Sequence, residues 1–291
     1  VTKLTACSSS SRRPCASDLS GRRVQLMRKS VVKGKLGRNE PVLLTSLLLN
    51  APALYELVSL MGFHGVWMDL EHHPTSAETA EALMRASRVG NTDILARPAK
   101  GEMMRLGRLL EAGATGILYP RCSNAAEAEA VVRAAKFYPW GERGYDGSNP
   151  DQPYSTMPAD HYVRIANEET FIFVQIEDAG ALAEAEAMAA VEGVDGLFFG
   201  PVDFSVLSGI PGKLDRPIVQ EAIDTVASAA RNTGKHWGMP VVSAEAAAPL
   251  MERGARILAC SADLALVKAG METLQEDFAQ LGLEFDNQLR G

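Results

Sequence analysis

The stretches Phe171-Ile172-Phe173-Val174-Gln175-Ile176-Glu177 and Gly196-Leu197-Phe198-Phe199-Gly200-Pro201-Val202-Asp203 decide how this chain is read. Each is a short, mainly apolar run bounded by turn residues, too brief for a core helix and typical of a buried parallel strand. Each closes on an acid, Glu177 ending the first run and Asp203 standing just beyond Gly196–Pro201 in the second. A carboxylate where a buried strand gives way to a loop stands where a parallel β/α barrel places its metal ligands and catalytic groups. Two oxygen donors on neighbouring strand ends point to a divalent cation.

Working outward, runs of the same kind occupy residues 41–48, 65–70, 93–97 and 116–120 before these two, and 236–242 and 257–261 after them. Segments of helical period fill 51–61, 76–89, 102–112, 124–137, 179–190, 217–233, 244–253 and 263–281. Several open on a capping residue such as Ser76 or Asn124 and stop at a glycine, as at Gly90, Gly113 and Gly254. Eight alternating strand–helix units predict an α/β fold, a single (β/α)8 TIM barrel over residues 27–283. A first helix is expected to open at Met27-Arg28-Lys29. The long last helix, reaching to about Leu283, either packs on a neighbouring subunit or closes its own barrel. Residues 1–26, Ser- and Arg-rich and poor in acids, read as a disordered extension, with an organellar transit peptide as the alternative. Residues 284–291 read as a tail. The connection over 138–160, rich in Gly, Pro, Asn and Tyr, is too long for an ordinary link and is expected to be an interface arm or a lid.

Composition narrows the function. A net charge of -7 with dispersed Lys and Arg offers no nucleic-acid footprint, so a small-molecule partner is expected. No apolar run approaches the roughly 20 residues that span a bilayer, so no membrane span is expected. Four scattered cysteines make no disulfide framework or CxxC zinc pair, which points to a reducing, cytoplasmic setting.

The strand ends and their loops bring Asp69, Glu71, His72, His73, Arg97, Gln175, Glu177 and Asp203 to one rim. Arg97, between Ala96 and Pro98 in an apolar strand, would be costly there without an anionic partner. Glu177 and Asp203 are hard oxygen donors suited to Mg²⁺ or Mn²⁺. The structural alternative pairs Glu177 with Arg97 as a buried salt bridge and leaves Asp203 to cap residues 204–207. His72 and His73 precede Pro74, which ends the strand. An imidazole here could act as general base, the alternative being a solvated loop histidine. Glu111, near the end of the helix over 102–112, is a candidate to orient one imidazole. Lys100 and Lys268 lie near strand ends without sitting in a strand aimed at the site, which disfavours imine chemistry.

Four segments, in this order and spacing, resemble one family: Gly62-Phe63-His64-Gly65-Val66-Trp67-Met68-Asp69-Leu70-Glu71-His72, Ala96-Arg97-Pro98, Gln175-Ile176-Glu177, and 191–205 from Val191-Glu192-Gly193 through Gly200-Pro201-Val202-Asp203 to Phe204-Ser205. They resemble the class II, metal-dependent pyruvate aldolases of the 4-hydroxy-2-oxoheptanedioate aldolase and citrate lyase type, from about Met27 to Met271. The resemblance implies that Glu177 and Asp203 hold a divalent cation, Mg²⁺, Mn²⁺ or Co²⁺, which chelates pyruvate. It implies that Gln175, Gly200 and Pro201 line the substrate, with the amides of Val202 and Asp203 receiving its carboxylate. Arg97 would lie against the keto oxygen, His72 with Glu111 would form the acid–base pair, and Asp69 would join the catalytic set. The implied reaction is retro-aldol cleavage of a 4-hydroxy-2-oxo acid to pyruvate and an aldehyde through an enolate, in a homo-oligomer, a hexamer. Competing readings are an oxaloacetate decarboxylase, a malyl-CoA or citrate-lyase-like enzyme, and a barrel that binds a keto acid without turnover. Departures at His73, Glu111, 145–150, 259–263 and Thr45-Ser46-Leu47-Leu48 leave open the aldehyde and which imidazole is the base.

Overall fold

Eight parallel strands close into a barrel in the order β1 to β8 in the computed structural model, which describes residues 27–289. They are β1 Val42–Ser46, β2 Gly65–Asp69, β3 Asp93–Arg97, β4 Gly116–Tyr119, β5 Phe171–Ile176, β6 Gly196–Phe199, β7 His236–Val241 and β8 Ile257–Ala262. Each neighbouring pair is parallel, including β1 with β8, which closes the ring. The expected extension over 1–26 and the last two residues of the expected tail lie outside the described residues.

The period of two along each strand sorts side chains between inside and outside. Val42, Leu44, Leu95, Leu118, Phe171, Phe173, Phe198, Ile257 and Ala259 pack together within the barrel, with Trp67 against them. The intervening Val66, Met68, Ile94, Ala96, Ile117, Ile172 and Val174 belong to the outer core beneath the helices. Phe171, Phe173 and Phe198 are fully buried, each worth roughly 2–3 kcal/mol of transfer free energy. Room for Phe171 comes from Gly116, where an added Cβ would lie 2.1 Å from the ring. Counting on by twos from Phe171 and Phe173 leads to Gln175 and Glu177, and from Trp67 to Asp69. The polar rim is therefore the layer above the aromatic core.

Helix α1, Val31–Leu36, plugs the opposite end of the barrel with Val32 and Leu36. It starts later than expected: Ser30, not the Met27 segment, is its N-cap, accepting from the Lys33 N–H. The same Ser30 hydroxyl donates to Asp93 at 2.6 Å, tying the plug to β3. The outer layer holds α2 Pro52–Leu60, α3 Ala77–Ala86, α4 Met103–Ala112, α5 Ala125–Ala135 and α6 Ala159–Glu169. It continues with α7 Ala179–Ala183, α8 Ala185–Ala190, α9 Pro201–Leu207, α10 Pro217–Asn232 and α11 Ala244–Glu252.

Two departures concern element boundaries. The long connection ends in α6, whose Tyr162, Ile165 and Ala166 pack with Phe137 and Met27 as a small separate core. The expected helix over 179–190 breaks at Glu184 into α7 and α8. The last helix, α12 Asp263–Ala279, has only Asp263 buried. Asp263 accepts the Leu48 and Leu49 N–H groups at 3.0 to 2.8 Å, so its role is to fix the loop after β1. Among the described residues, no other side chain of α12 is buried.

Candidate active site

Asp69 and Arg97 end neighbouring strands in register, Asp69 opposite Arg97. The guanidinium spans the carboxylate: Nε donates to Oδ1 at 3.0 Å and Nη2 to Oδ2 at 2.7 Å. It also lies 4.6 Å above the Trp67 ring, which packs edge-on against Phe198. Burial opposes ionisation of Asp69, but the Arg97 bonds outweigh it and hold the carboxyl below its ordinary value. The structure thereby corrects the alternative that paired Arg97 with Glu177. Nη1 makes no hydrogen bond among the described residues, so one face of the fork is available to a ligand.

Glu177 is buried, its two oxygens held separately. Oε2 accepts the Arg121 backbone N–H at 2.8 Å, and Oε1 accepts Gln175 Nε2 at 2.9 Å. Arg121 presents that N–H from a left-handed backbone, φ 49°, just past β4. Such conformations carry a strain cost and recur where a loop is shaped for function. Burial and then the charge of Asp203 push the Glu177 carboxyl up to about 7. Gly200 leaves the space for it, since a Cβ there would stand 2.6 Å from both Cγ and Oε1.

Asp203 lies exposed in the first turn of α9, with Pro201 at the helix start and Val202 beside it. Gly200, not Asp203, is the residue flanking this helix, so Asp203 is free of the capping role its position allowed. Glu71 completes the group, with Oε2 3.4 Å from Arg97 Nε and 3.7 Å from His72 Nε2. Burial raises its carboxyl and Arg97 partly offsets this, with Asp203 again adding to the rise. His73 Nε2 stands 3.8 Å from Asp69 Oδ2. Both imidazoles therefore face acids of the same rim, His72 the more exposed.

A cation fits these residues. Asp203 raises the carboxyl of a buried Glu177 instead of being neutralised by a partner, and each Glu177 oxygen keeps a lone pair beyond its one hydrogen bond. Gln175 Oε1, next to them, is buried without a partner. No group of three or more His, Cys, Asp or Glu in metal-binding array occurs among the described residues, so the protein would supply two carboxylates and leave the other positions to substrate and water.

Glu111 is elsewhere. It lies at the end of α4, and a helix that follows a barrel strand runs back toward that strand's start, away from the rim. Its carboxyl is raised by burial and sits in the fields of Arg143, Asp146, Asp151 and Arg108, groups of α4 and the long connection. Within one chain it does not meet His72. Trp67 and the Arg121 amide are the contributors that sequence reading missed. Trp67 could have been found by its two-residue spacing from Asp69, whereas nothing in the sequence marks a backbone N–H.

Residues 45–269, which carry all of these groups, match the model of the family described as HpcH/HpaI aldolase/citrate lyase. The chain belongs to that family. Membership makes it a carbon–carbon lyase. It is 34% identical over 224 residues to a pyruvate aldolase of Rhizobium etli, covering 77% of this chain and 87% of that one. It is 32% identical to a 4-hydroxy-2-oxo-heptane-1,7-dioate aldolase of Klebsiella pneumoniae, covering 77% and 84%. Among solved structures, an HpcH/HpaI aldolase from Desulfitobacterium hafniense superposes with a TM-score of 0.79 at 30% identity, covering 84% of this chain and 96% of that one. The matched segment takes in the whole rim of the HpcH/HpaI barrel described above, from Ser46 of β1 to the first turns of α12.

Proposed function

We propose that the chain cleaves a 4-hydroxy-2-oxo acid to pyruvate and an aldehyde in a divalent-cation-dependent retro-aldol reaction. The observation that carries this reading is the pairing of two opposed electrostatic devices on one rim: Glu177 with Asp203, which want a cation, and Arg97, whose Nη1 is left for an oxyanion. The names of the relatives from Rhizobium etli and Klebsiella pneumoniae, pyruvate aldolase and 4-hydroxy-2-oxo-heptane-1,7-dioate aldolase, support the substrate class.

A cation held by Glu177 and Asp203, Mg²⁺ or Mn²⁺ by the hardness of the donors and Co²⁺ as a further candidate, supplies Lewis-acid polarisation of the 2-oxo acid. Gln175, Gly200 and Pro201 line the bound acid, and the backbone N–H groups of Val202 and Asp203 receive its carboxylate. Asp69 holds the Arg97 fork so that Nη1 faces the keto oxygen. His72 accepts the 4-hydroxyl proton, the C3–C4 bond breaks, and the aldehyde departs. Charge then develops on the former keto oxygen, where Arg97 stabilises it without reorganising. Protonation at C3 releases pyruvate. Glu111 can serve a His72 only from another copy of the chain.

The exposed apolar side of α12, including Leu266, Leu274 and Phe278, supports assembly, as does Leu43 of β1, 37% exposed on the outer wall of the barrel that α12 leaves open. We place α12 on a neighbouring subunit in a homo-oligomer, a hexamer by the family resemblance, and take the scattered cysteines as grounds for a cytoplasmic setting. Among the described residues no helix is long and apolar enough to cross a membrane.

Pyruvate release from 4-hydroxy-2-oxo acids, followed by coupled reduction, tests the reading. EDTA should abolish turnover and Mg²⁺, Mn²⁺ or Co²⁺ restore it, and Glu177→Gln should lower kcat/KM by roughly a thousandfold. Turnover that survives EDTA would sink the proposal.

A further inference from the structure

One oxygen of Glu177 depends on a backbone conformation that Arg121 does not adopt of its own accord. Arg121, just past β4, donates its N–H to Glu177 Oε2 at 2.8 Å from the left-handed region, φ 49°. A residue with a Cβ leaves that region unless its surroundings hold it there. Two peptide units flank Arg121, and release means rotating one of them. The unit before it carries the N–H aimed at Glu177. The unit after it is held at both ends: the Cys122 N–H donates to the Gln175 carbonyl at 3.1 Å, and the Arg121 carbonyl accepts from Lys100 Nζ at 2.6 Å.

Lys100 lies in the loop after β3, the strand that carries Arg97. An ammonium has three N–H donors, and this one finds three acceptors. Besides the Arg121 carbonyl they are the Ser123 hydroxyl at 2.6 Å and Glu127, whose Oε2 is 3.3 Å away. Glu127, in the first turn of α5, accepts the Ser123 N–H through Oε2 and the Tyr119 hydroxyl through Oε1, both at 2.8 Å. Tyr119 in turn accepts the Gly101 N–H at 3.0 Å. The loops after β3 and β4 are thereby bonded to each other beside the turn at Arg121. An exposed ion pair between Lys100 and Glu127 would by itself contribute little. The bond to the Arg121 carbonyl differs, because it links Lys100 through the backbone of one residue to Glu177.

We infer that Lys100 is a positioning residue for the cation site: by holding the Arg121 carbonyl it keeps the Arg121 N–H on Glu177 and so fixes that carboxylate for the metal. The inference rests on the proposed assignment of Glu177 and Asp203 as the ligands, and it gives a role to a lysine that no step of the cleavage uses. The role has a sign of its own. Coulomb repulsion alone makes Lys100 unfavourable to a nearby cation, so removing its charge would tighten metal binding. Positioning predicts that removing it weakens metal binding.

Mn²⁺ uptake by the full chain, followed without substrate through the electron paramagnetic resonance signal of free Mn²⁺, separates the two. The wild type should take up Mn²⁺ saturably, and Glu177→Gln should lose most of that uptake. Lys100→Met should raise the dissociation constant by roughly tenfold, the lower end of what losing a group that holds a metal ligand does, with an unchanged circular dichroism spectrum. If Lys100→Met fails that check of fold, Lys100→Gln, too short to reach the same acceptors, takes its place with the same expectation. A Lys100 variant that binds Mn²⁺ as tightly as the wild type, or more tightly, overturns the positioning role and leaves the cation site standing. A wild type that takes up no Mn²⁺ overturns the cation site, and the inference falls with it.

Discussion

Arg97 has one fork and two sides to it: Nε and Nη2 neutralise Asp69, and Nη1, free of hydrogen bonds among the described residues, is the donor proposed above for substrate. Lysine would keep the charge but cannot span both Asp69 oxygens, so Arg97→Lys should lower kcat/KM by roughly a hundredfold or more with little change in melting temperature. Arg97→Ala should also lower the melting temperature, because Asp69 is then buried with no cation bonded to it, a loss of roughly 3–5 kcal/mol. Equal melting of the two variants would contradict a buried Asp69 charge that a cation at position 97 neutralises. Gly200 matters sterically, since its φ of -100° suits any residue. The methyl of Gly200→Ala would displace Glu177, so the Mn²⁺ concentration for half activation should rise, by roughly tenfold, while the fold persists. These residues were legible in sequence as strand-end groups in a known resemblance. Their pairings were not, because Asp69 and Glu177 compete for Arg97 on equal chemical terms and only strand order puts Asp69 next to it.

Among the elements, the eight strands fell within the runs read from sequence, apart from a one-residue extension of β8, because a strand buried on both faces writes its burial directly into consecutive apolar residues. Helix ends were less legible. Ser30 caps α1 because its hydroxyl meets the Lys33 N–H and Asp93, and the Asp93 contact comes from a residue 63 positions away. Helix α12 is the element whose apolar residues find no core among the described residues. Replacing Leu274 and Phe278 together by Glu should leave the barrel folded and shift the light-scattering mass toward that of a single chain. An unchanged mass would place the contact between subunits somewhere other than α12.

At the scale of the whole molecule, barrel closure buries groups at both ends, the rim for chemistry and the plugged end for anchoring α1. Asp93 shows the cost: burial raises its carboxyl from 3.8 to about 6, against the bonds from Ser30 and Val32. A folded-state value above the unfolded one means stability is highest below about 4 and is lost as pH rises through about 6. The loss is about 3 kcal/mol at most. The melting temperature of the wild type relative to Asp93→Asn should therefore fall as pH is raised from 4 to 7, and a constant difference would refute the assignment. By itself the sequence determined the number of strands, the closed α/β architecture and the carboxylates, guanidinium and imidazoles at strand ends, because periodicity and residue chemistry are local properties of a chain. Only the tertiary structure decided that Asp69 clamps Arg97, that the Arg121 amide holds Glu177, that Glu111 stands apart from His72 and that α12 buries only Asp263 among the described residues. Each of these is set by distances across the closed barrel, between residues that no spacing along the chain connects.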